Sequence, residues 1–391
     1  MKGRDNMKCQ SPVHLRFSED GKFRILALGD SHEKIKFTEK TEDMLRLLNA
    51  AAERLHPDAV IFMGDLVQRE NEEEGRRATE DEMFEQVQRL TTPFTSRGIP
   101  VGIVFGNHDG DPPAEMKKDV FALFSRIPRF LNTDESGVTG VGNCFVPIYD
   151  SKDEKMLFNL WLLDSGSGAQ DGRDGYAWVD DDQIAWYENT CDAITAENGG
   201  VVPSIFFQHI PVCEEYRLLR ETTILNPYRV KGMAMYKGKY FTRGPDLEGY
   251  LGEGPAVPAK NNGQFDSWKK KGDVIAAIFG HDHMNRFQGE VDGILLCQTQ
   301  LTGFTMWGDG LRQGVRVIDL DETRPGKLAT YMVYYRDFFG TKCKSISPYN
   351  LLSDRWHINF KNTLGVLGVA AAAAGIGVGA KKLYNIRKRK K

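Results

Sequence analysis

Several short apolar runs of this 391-residue chain end in the same way, in a cluster of Gly, Asp, Asn or His. The runs cover residues 23–28, 59–63, 101–105, 157–163, 204–207 and 274–279. Unbroken apolar runs of this length are typical of strands that are buried on both faces. Between the first two runs, residues 41–55 have apolar positions at helical spacing and acids in the first turn, which predicts a helix. The chain is therefore expected to form an α/β fold.

The polar residues that follow these runs offer carboxylate, amide and imidazole donors, which suit borderline divalent metals such as Mn, Fe and Zn. In open α/β folds, ligand sites lie on the loops where strands end. The candidate ligands are Asp30, His32, Asp65, Asn107, His209, His281 and His283. Seven ligands exceed the need of one tetrahedral ion and fit two ions bridged by one carboxylate, about 3.5–4 Å apart.

Each cluster taken alone also fits an ordinary turn. A single Asp-x-His is usually a turn with a solvated His, and a single Gly-Asp after a strand carries little information. The clusters occur in one order, each at the end of a predicted buried strand, and this recurrence favours a metal site over coincidence. His14, His56 and His357 lie outside every cluster and are interpreted as ordinary surface or core residues.

In this order the clusters resemble the motifs of the calcineurin-like metallophosphoesterase superfamily. The matching elements are Asp30-x-His32, Gly64-Asp65, Gly106-Asn107-His108-Asp109, His209 and Gly280-His281-Asp282-His283. The resemblance covers residues 23–320. It implies a four-layer α/β/β/α sandwich, in which two mixed β-sheets are flanked by helices and the metals lie at the strand ends.

The resemblance also implies a role for each residue. The first metal would be held by Asp30, His32 and His283, and the second by Asn107, His209 and His281. Asp65 would bridge the two ions. His108 would act as the general acid, with Asp109 orienting its imidazole, because a carboxylate-paired His is a good acid near neutral pH. Asp282, between two ligands, is expected to support them.

The implied activity is hydrolysis of a phosphate ester, by a phosphatase or phosphodiesterase in which two divalent ions activate a water. Two alternatives stay open, a non-catalytic membrane-tethered scaffold with the same fold and a nuclease. The net charge is −3, and the last eleven residues carry seven Lys or Arg and no acid, so residues 1–380 carry −10. An acidic body makes nucleic acid an unfavoured partner.

Further segments resemble the purple acid phosphatase-related branch of the superfamily, namely residues 162–166, 178–180 with Gln183 and Trp186, 206–211 and 280–283. Purple acid phosphatases have an iron-binding Tyr three residues after the Gly-Asp aspartate, and this chain has Gln68 there, so no tyrosinate colour is expected. Asp164, Tyr176 and Trp178 are open as substrate contacts, but turn and core roles are the favoured interpretation for such residues.

Residues 111–150 and 214–265 show no sustained period and are predicted to be long loops over the site. The six cysteines are scattered, without a C-x-x-C pair, and are interpreted as reduced thiols. The N-terminal segment lacks the apolar stretch of a secretory signal. The catalytic domain, assigned to residues 1–340, is therefore expected in the cytosol.

The C-terminal segment is predicted to bind a membrane. After a linker at 341–362, residues 363–380 contain no charge and are nearly as long as the roughly 20 residues that a spanning helix needs. A basic tail follows at 381–391. The favoured interpretation is a membrane anchor, and the alternative is a surface-lying segment whose Lys and Arg meet anionic lipid. The orientation is contradictory, since a cytosolic domain conflicts with the positive-inside tendency of the tail.

Overall fold

The computed structural model describes residues 9–109, 115–169, 171–172, 174–308, 310–345 and 355–389. The helices of this part are α1 (Glu39–Leu55), α2 (Glu80–Thr95), α3 (Glu115–Phe124), α4 (Asp181–Asn198), α5 (Gln264–Lys271), α6 (Tyr335–Phe339) and α7 (Arg355–Arg389). The strands are β1 (Leu15–Arg16), β2 (Lys22–Leu28), β3 (Ala59–Phe62), β4 (Glu70–Asn71), β5 (Arg76–Arg77), β6 (Val101–Ile103), β7 (Cys144–Tyr149), β8 (Met156–Leu162), β9 (Ser204–Gln208), β10 (Leu219–Thr222), β11 (Val230–Lys231), β12 (Tyr240–Arg243), β13 (Glu248–Tyr250), β14 (Val274–Phe279), β15 (Arg286–Val291), β16 (Ile294–Gln298), β17 (Gly314–Asp321) and β18 (Leu328–Tyr334).

Most strands belong to two mixed sheets. The larger has the order β1-β7-β8-β9-β14-β16-β15-β13, and the smaller has the order β18-β17-β2-β3-β6. In the smaller sheet β2, β3 and β6 are parallel, and in the larger sheet β8, β9, β14 and β16 are parallel. Antiparallel strands complete both sheets, as with β17 beside β2 and β7 beside β8. The carboxyl ends of the parallel strands therefore meet at one edge of each sheet.

The two sheets pack face to face through a shared apolar core. Ile25 and Ile61 of the smaller sheet belong to the same buried cluster as Leu160, Phe207 and Ile278 of the larger sheet. The outer face of the smaller sheet packs on α1 and α2, and the outer face of the larger sheet packs on α4 and α5. Strands covered on both faces need continuous apolar sequence, as the runs predict. The four-layer α/β/β/α fold is confirmed.

Helix α1 connects β2 to β3, which confirms the predicted strand–helix–strand unit. It begins at Glu39, two residues before the predicted start, because the Thr38 and Thr41 side chains form a capping box. Its buried face includes Met44, Leu47 and Leu48, each of which contributes roughly 1.5–3 kcal/mol by leaving water.

The prediction of long loops at 111–150 and 214–265 is wrong in large part. The described residues of the first segment include α3 and β7, while the second holds a three-stranded sheet in the order β10-β12-β11 and also β13. The strands of the second segment have two to four residues, too few to produce a readable period. We call residues 219–243, which contain β10, β11 and β12, the lid. Its inner face packs on the core of the larger sheet through Leu219, Val230 and Phe241.

Helix α7 is longer than the predicted anchor. It takes up the end of the predicted linker and the described part of the basic tail, because Ala, Lys and Arg are strong helix formers; residues 346–354 of the linker lie outside the described residues. Its Asn359–Lys381 stretch has a mean hydropathy of 1.8, is unburied, and is long and apolar enough to cross a membrane. The Asn362 side-chain amide donates to the carbonyls of Pro227 (2.9 Å) and Arg229 (3.4 Å), which ties α7 to the lid.

Candidate metal centre

The predicted ligands all lie just after parallel strands, and both sheets contribute. Asp30, Asp65 and Asn107 follow β2, β3 and β6 of the smaller sheet. His209 follows β9, and His281 and His283 follow β14, all from the larger sheet. The structure brings these residues together with His32 at the seam between the two sheets.

The first ligand group consists of Asp30, His32 and His283, each of which offers one ligand atom within 4.8 Å of the others. The His283 Nε2 atom lies 3.3 Å from Asp30 Oδ2 and 3.3 Å from His32 Nε2. Ligand atoms about 2 Å from one metal ion stand about 3 Å apart. The group therefore has the spacing of a metal site.

The second ligand group consists of Asp65, His209 and His281, with the same spacing. The His209 Nε2 atom lies 3.1 Å from Asn107 Oδ1, which adds Asn107 to this group. Asp65 Oδ2 lies 3.6 Å from His209 Nε2 and 3.5 Å from His32 Nε2, so one carboxylate oxygen stands between the two groups. This is the position that the resemblance assigns to a bridging ligand.

Backbone carbonyls orient two of the imidazoles. His209 Nδ1 lies 2.6 Å from the Met63 carbonyl, and His283 Nδ1 lies 3.2 Å from the Trp307 carbonyl. A carbonyl only accepts, so each Nδ1 carries the proton and donates it. The Nε2 lone pairs then point into the site, as metal-ligating histidines require.

Two ligand atoms have no hydrogen-bond partner among the described residues, although they are buried. They are the Nε2 atom of His281 and the Oδ2 atom of Asp30. A buried polar atom without a partner costs roughly 1–3 kcal/mol. A cation coordinated by these atoms would remove that cost, and the donor set of carboxylates and imidazoles fits a divalent metal.

The charge states of four of the ligands also suit a divalent ion. Burial lowers the pKa of His32 to about 4 and that of His281 to about 3, so both imidazoles are neutral at pH 7. Burial alone would raise the pKa of Asp30 and of Asp65, but the neighbouring histidines outweigh it and the pKa of both carboxyls is lowered. Metal binding needs ionised carboxylates and neutral imidazoles.

The backbone of the site is strained at several ligands. His32, Asp65 and His281 have φ values of 42°, 49° and 72°, in the left-handed region that costs non-glycine residues of order 1–3 kcal/mol. Gly106 is required for a different reason, since a Cβ there would stand 2.1 Å from Asp65 Oδ1. The surrounding sheets hold this conformation in place, and such strain is typical of functional sites.

Asp109 has partners other than the expected one. Its buried carboxylate accepts hydrogen bonds from the backbone N–H groups of Asp65, Leu66 and Gly106, each at 2.8 Å. The His108 ring is not among its hydrogen-bond partners. Asp109 therefore fixes the loops that carry Asp65 and Asn107 instead of orienting His108, because three converging N–H groups satisfy its oxygens.

His108 lies at the border of the site with an exposed side chain. Its ring centroid is 5.5 Å from that of His32, and its backbone N–H donates to Asp65 Oδ1 at 2.8 Å. It lines a cavity of about 450 Å³ above the ligand groups. The geometry allows its imidazole to reach a substrate in this cavity.

Several residues of the cavity wall were not predicted from the sequence. The walls include Arg229 and Lys231 of the lid, Glu253 and Trp307. The Trp307 ring lies 4.7 Å from the His283 ring. These residues come from segments without periodicity. The sequence signal that could have indicated an anionic ligand is the excess of Lys and Arg in 219–243.

The three residues that the sequence leaves open as substrate contacts have different positions in the structure. The Tyr176 ring meets the His281 ring edge to face at 4.2 Å and lines the cavity. Asp164 accepts from the buried Lys117 ammonium at 2.6 Å and from Val141 N–H at 3.0 Å, which is a structural role. Trp178 is not among the residues that line the cavity.

Asp282 connects the second ligand group to the chain that covers it. Its carboxylate accepts from the Ala256 N–H at 3.1 Å and from the Asn285 amide at 2.7 Å. The Asn285 side-chain oxygen in turn accepts from the Gly252 N–H at 2.9 Å. The loop of His281 and His283 is thereby fastened to the cavity wall at 252–256.

The sequence model of the calcineurin-like phosphoesterase family matches residues 23–285. The chain belongs to this family. Its relatives among curated proteins include three that are named as probable inactive purple acid phosphatases. Over 359 residues it is 25% identical to "Probable inactive purple acid phosphatase 29" of Arabidopsis thaliana, an alignment that covers 82% of this chain and 84% of the relative. It is 25% identical to "Phosphatase DCR2" of Saccharomyces cerevisiae, with 70% of this chain and 46% of that protein covered.

Solved structures with a similar fold include a dimetal phosphatase from Danio rerio, with 12% identity and a TM-score of 0.45 over 80% of this chain and 99% of that one. Another is the Plasmodium protein described as "GAP50 the anchor in the inner membrane complex", with 11% identity and a TM-score of 0.48. That alignment covers 83% of this chain and 87% of the other.

Proposed function

We propose that this protein hydrolyses a phosphate ester with two divalent metal ions, Mn, Fe or Zn. The observation that carries the proposal is the pair of ligand groups, which meet at Asp65 on the floor of the cavity and contain two buried atoms without partners. If these residues had only a structural role, the two buried atoms would lack hydrogen-bond partners, and this would destabilise the folded protein.

The ions, when bound, would activate water and neutralise charge that develops on the phosphoryl oxygens. The chain's own residues do the rest. Asp30, His32 and His283 would hold one ion, Asn107, His209 and His281 would hold the other, and Asp65 lies between the two ligand groups. His108 faces the cavity and donates a proton to the leaving oxygen, and the cationic side chains of Arg229 and Lys231 attract the anionic substrate.

A second candidate is a scaffold that keeps the fold without catalysis, and the word "inactive" in the names of relatives favours it. This chain retains all seven ligand positions at metal-site spacing. A scaffold has no need of neutral, inward-pointing imidazoles at buried positions. We therefore place catalysis first.

We also propose that the phosphoesterase domain, assigned to residues 1–340, is held at a membrane by α7, with the domain in the cytosol. The unburied 23-residue apolar stretch of α7 supports the anchor. The cysteines are all free, which is usual in reducing compartments.

The test uses the full-length protein in detergent, loaded with manganese, and compares a nitrophenyl phosphate monoester with the bis-nitrophenyl diester. Asp65→Asn is the blank, and Asp81→Asn, at an exposed position in the first turn of α2, is the matched control. We expect turnover that Asp65→Asn loses and Asp81→Asn keeps. Turnover of neither ester with manganese, iron or zinc would favour the scaffold, and turnover that survives Asp65→Asn would remove the assigned site.

A further inference from the structure

The lid has a charge opposite to that of the rest of the chain. Residues 219–243 contain six Lys or Arg and one Glu, a net charge of +5, although residues 1–380 together carry −10. A basic surface on an acidic protein favours contact with an anionic partner.

Two basic residues of the lid strands, Arg220 and Lys231, are exposed on its outer face. Lys231 stands opposite Tyr240, and Tyr240 stands opposite Thr222, which places these side chains on one face together with Arg220. The other face carries Val230 and packs on the core. Among the described residues no carboxylate lies within ion-pair distance of Arg220, Arg229 or Lys231, so this charge is available to a partner.

Exposed apolar side chains stand beside this charge. Ile224, Leu225 and Tyr228, in the connection between β10 and β11, are 51%, 56% and 56% exposed. Single exposed apolar residues are common, but a group of them at the tip of a basic element is typical of a surface that enters the headgroup region of a bilayer.

Helix α7 determines how far this surface of the lid lies from a membrane. Asn362 contacts the carbonyls of Pro227 and Arg229, and it lies three residues into the apolar stretch Asn359–Lys381. At a rise of 1.5 Å per residue, the contact is about 4.5 Å from the start of that stretch. The tip of the lid is therefore level with the point where α7 would enter a membrane.

We propose that the outer face of the lid docks on an anionic lipid bilayer. The docking face consists of Arg220, Ile224, Leu225, Tyr228, Arg229 and Lys231. Apolar side chains at its tip and the apolar helix at its edge favour a lipid surface over a nucleic acid or an acidic protein. Arg229 and Lys231 also line the cavity, so the mouth of the cavity opens along the bilayer.

This docking also narrows the substrate, in a step that rests on the proposed function. A cavity that opens at the membrane surface is placed to receive phosphate esters in the headgroup region. The test of docking described next measures position alone. It stays valid whether or not the protein hydrolyses anything.

The full-length protein is reconstituted in vesicles of phosphatidylcholine, with or without phosphatidylserine, that contain a lipid with a fluorescence quencher on its headgroup. A dye is attached in the variant Leu225→Cys or in the matched control Val201→Cys, both in a Cys343→Ser background. Val201 is 52% exposed and precedes β9, so it lies at the sheet edge opposite the site. Both variants share α7, so differences in quenching report the position of the lid.

We expect the dye at 225 to be quenched severalfold more than the dye at 201, and more strongly with phosphatidylserine present. Arg220→Gln with Lys231→Gln should lower the ratio of docked to undocked lid by about 25-fold, at about fivefold per basic residue. Equal quenching at both positions would overturn the proposal. Quenching at 225 that is the same with and without phosphatidylserine would also overturn it. The same holds if an RNA oligonucleotide displaces the lid from the vesicle surface.

Discussion

The edge of the two sheets that carries the candidate metal ligands, which we call the ligand edge, differs in construction from the lid above it. At the ligand edge, the candidate ligands follow largely buried strands of the two sheets, and side chains are further held by contacts such as His209 to the Met63 carbonyl. In the lid, strands of two to four residues and the connections between them carry exposed basic and apolar side chains. Chemistry that depends on exact distances needs rigid positions such as those of the ligand edge. The lid exposes its side chains, so it can bind another molecule without a change in the core.

The two regions also differ in energetic cost. The ligand edge contains buried atoms without partners and three ligands with positive φ, all of which oppose folding. In the lid, Ala234 is the one described non-glycine residue with a positive φ (44°), no buried side-chain atom without a partner is described there, and Arg220 and Lys231 are exposed. Substitutions at the ligand edge should therefore affect metal binding and stability, while substitutions in the lid should affect binding of substrate and membrane.

The largest effect is expected from Asp109→Ala. The change leaves three buried N–H groups without an acceptor, at roughly 1–3 kcal/mol each, and should lower the free energy of unfolding by about 5 kcal/mol in a urea titration. Asp109→Asn keeps one oxygen and should cost about half as much. Asp119→Ala, at an exposed position on α3, is the control. A loss below about 1 kcal/mol for Asp109→Ala would show that these hydrogen bonds are dispensable.

His281→Asn should separate metal binding from stability. Asn tolerates the left-handed backbone of His281 but does not reach the ion, and we expect loss of one metal together with about a 10³-fold fall in kcat. The metal-free protein should keep its Tm, because His281 Nε2 has no hydrogen-bond partner to lose in the described part of the chain. His14→Asn, at an exposed His, is the control. Two metals retained by elemental analysis would contradict this assignment.

Glu215→Gln tests the junction between the two regions. Glu215 lies just before the lid, accepts from Gln298 at 2.9 Å, and has its pKa raised to about 8 by burial. The pKa of Glu215 is higher in the folded protein than in the unfolded one. Its contribution to the free energy of unfolding is therefore complete below about pH 4.5 and is lost as the pH rises towards 8. At pH 8 the Gln variant should be more stable than the original by on the order of 3 kcal/mol. Parallel stability profiles for the two proteins between pH 5 and 8 would refute this expectation.

The smallest effect is expected in the lid. Lys231→Gln should raise KM for a phosphate monoester by about tenfold, the worth of one hydrogen bond to a charged group, and leave kcat unchanged. Lys239→Gln, at an exposed lid lysine paired with Glu221, is the control. A fall in kcat at unchanged KM would place Lys231 in the chemical step instead.

The comparison also explains what the sequence could predict. The strands and the candidate ligands were predictable because each cluster of candidate ligands follows an apolar run, and parallel strands bring such ends together. The lid was not, because β11 has only two residues, Val230 and Lys231, and two residues have no period. The partners of Asp109 were missed for a similar reason, since they are backbone groups whose direction depends on the folded loops.

The order of the ligands along the chain has a consequence for biosynthesis. His32 and His283 are separated by 251 positions, and each ligand group contains a residue from the loop at 281–283. A nascent chain therefore cannot present either complete group until that loop has left the ribosome. Metal insertion must be among the last steps of maturation, and a message truncated upstream of codon 281 would encode a product unable to assemble either group.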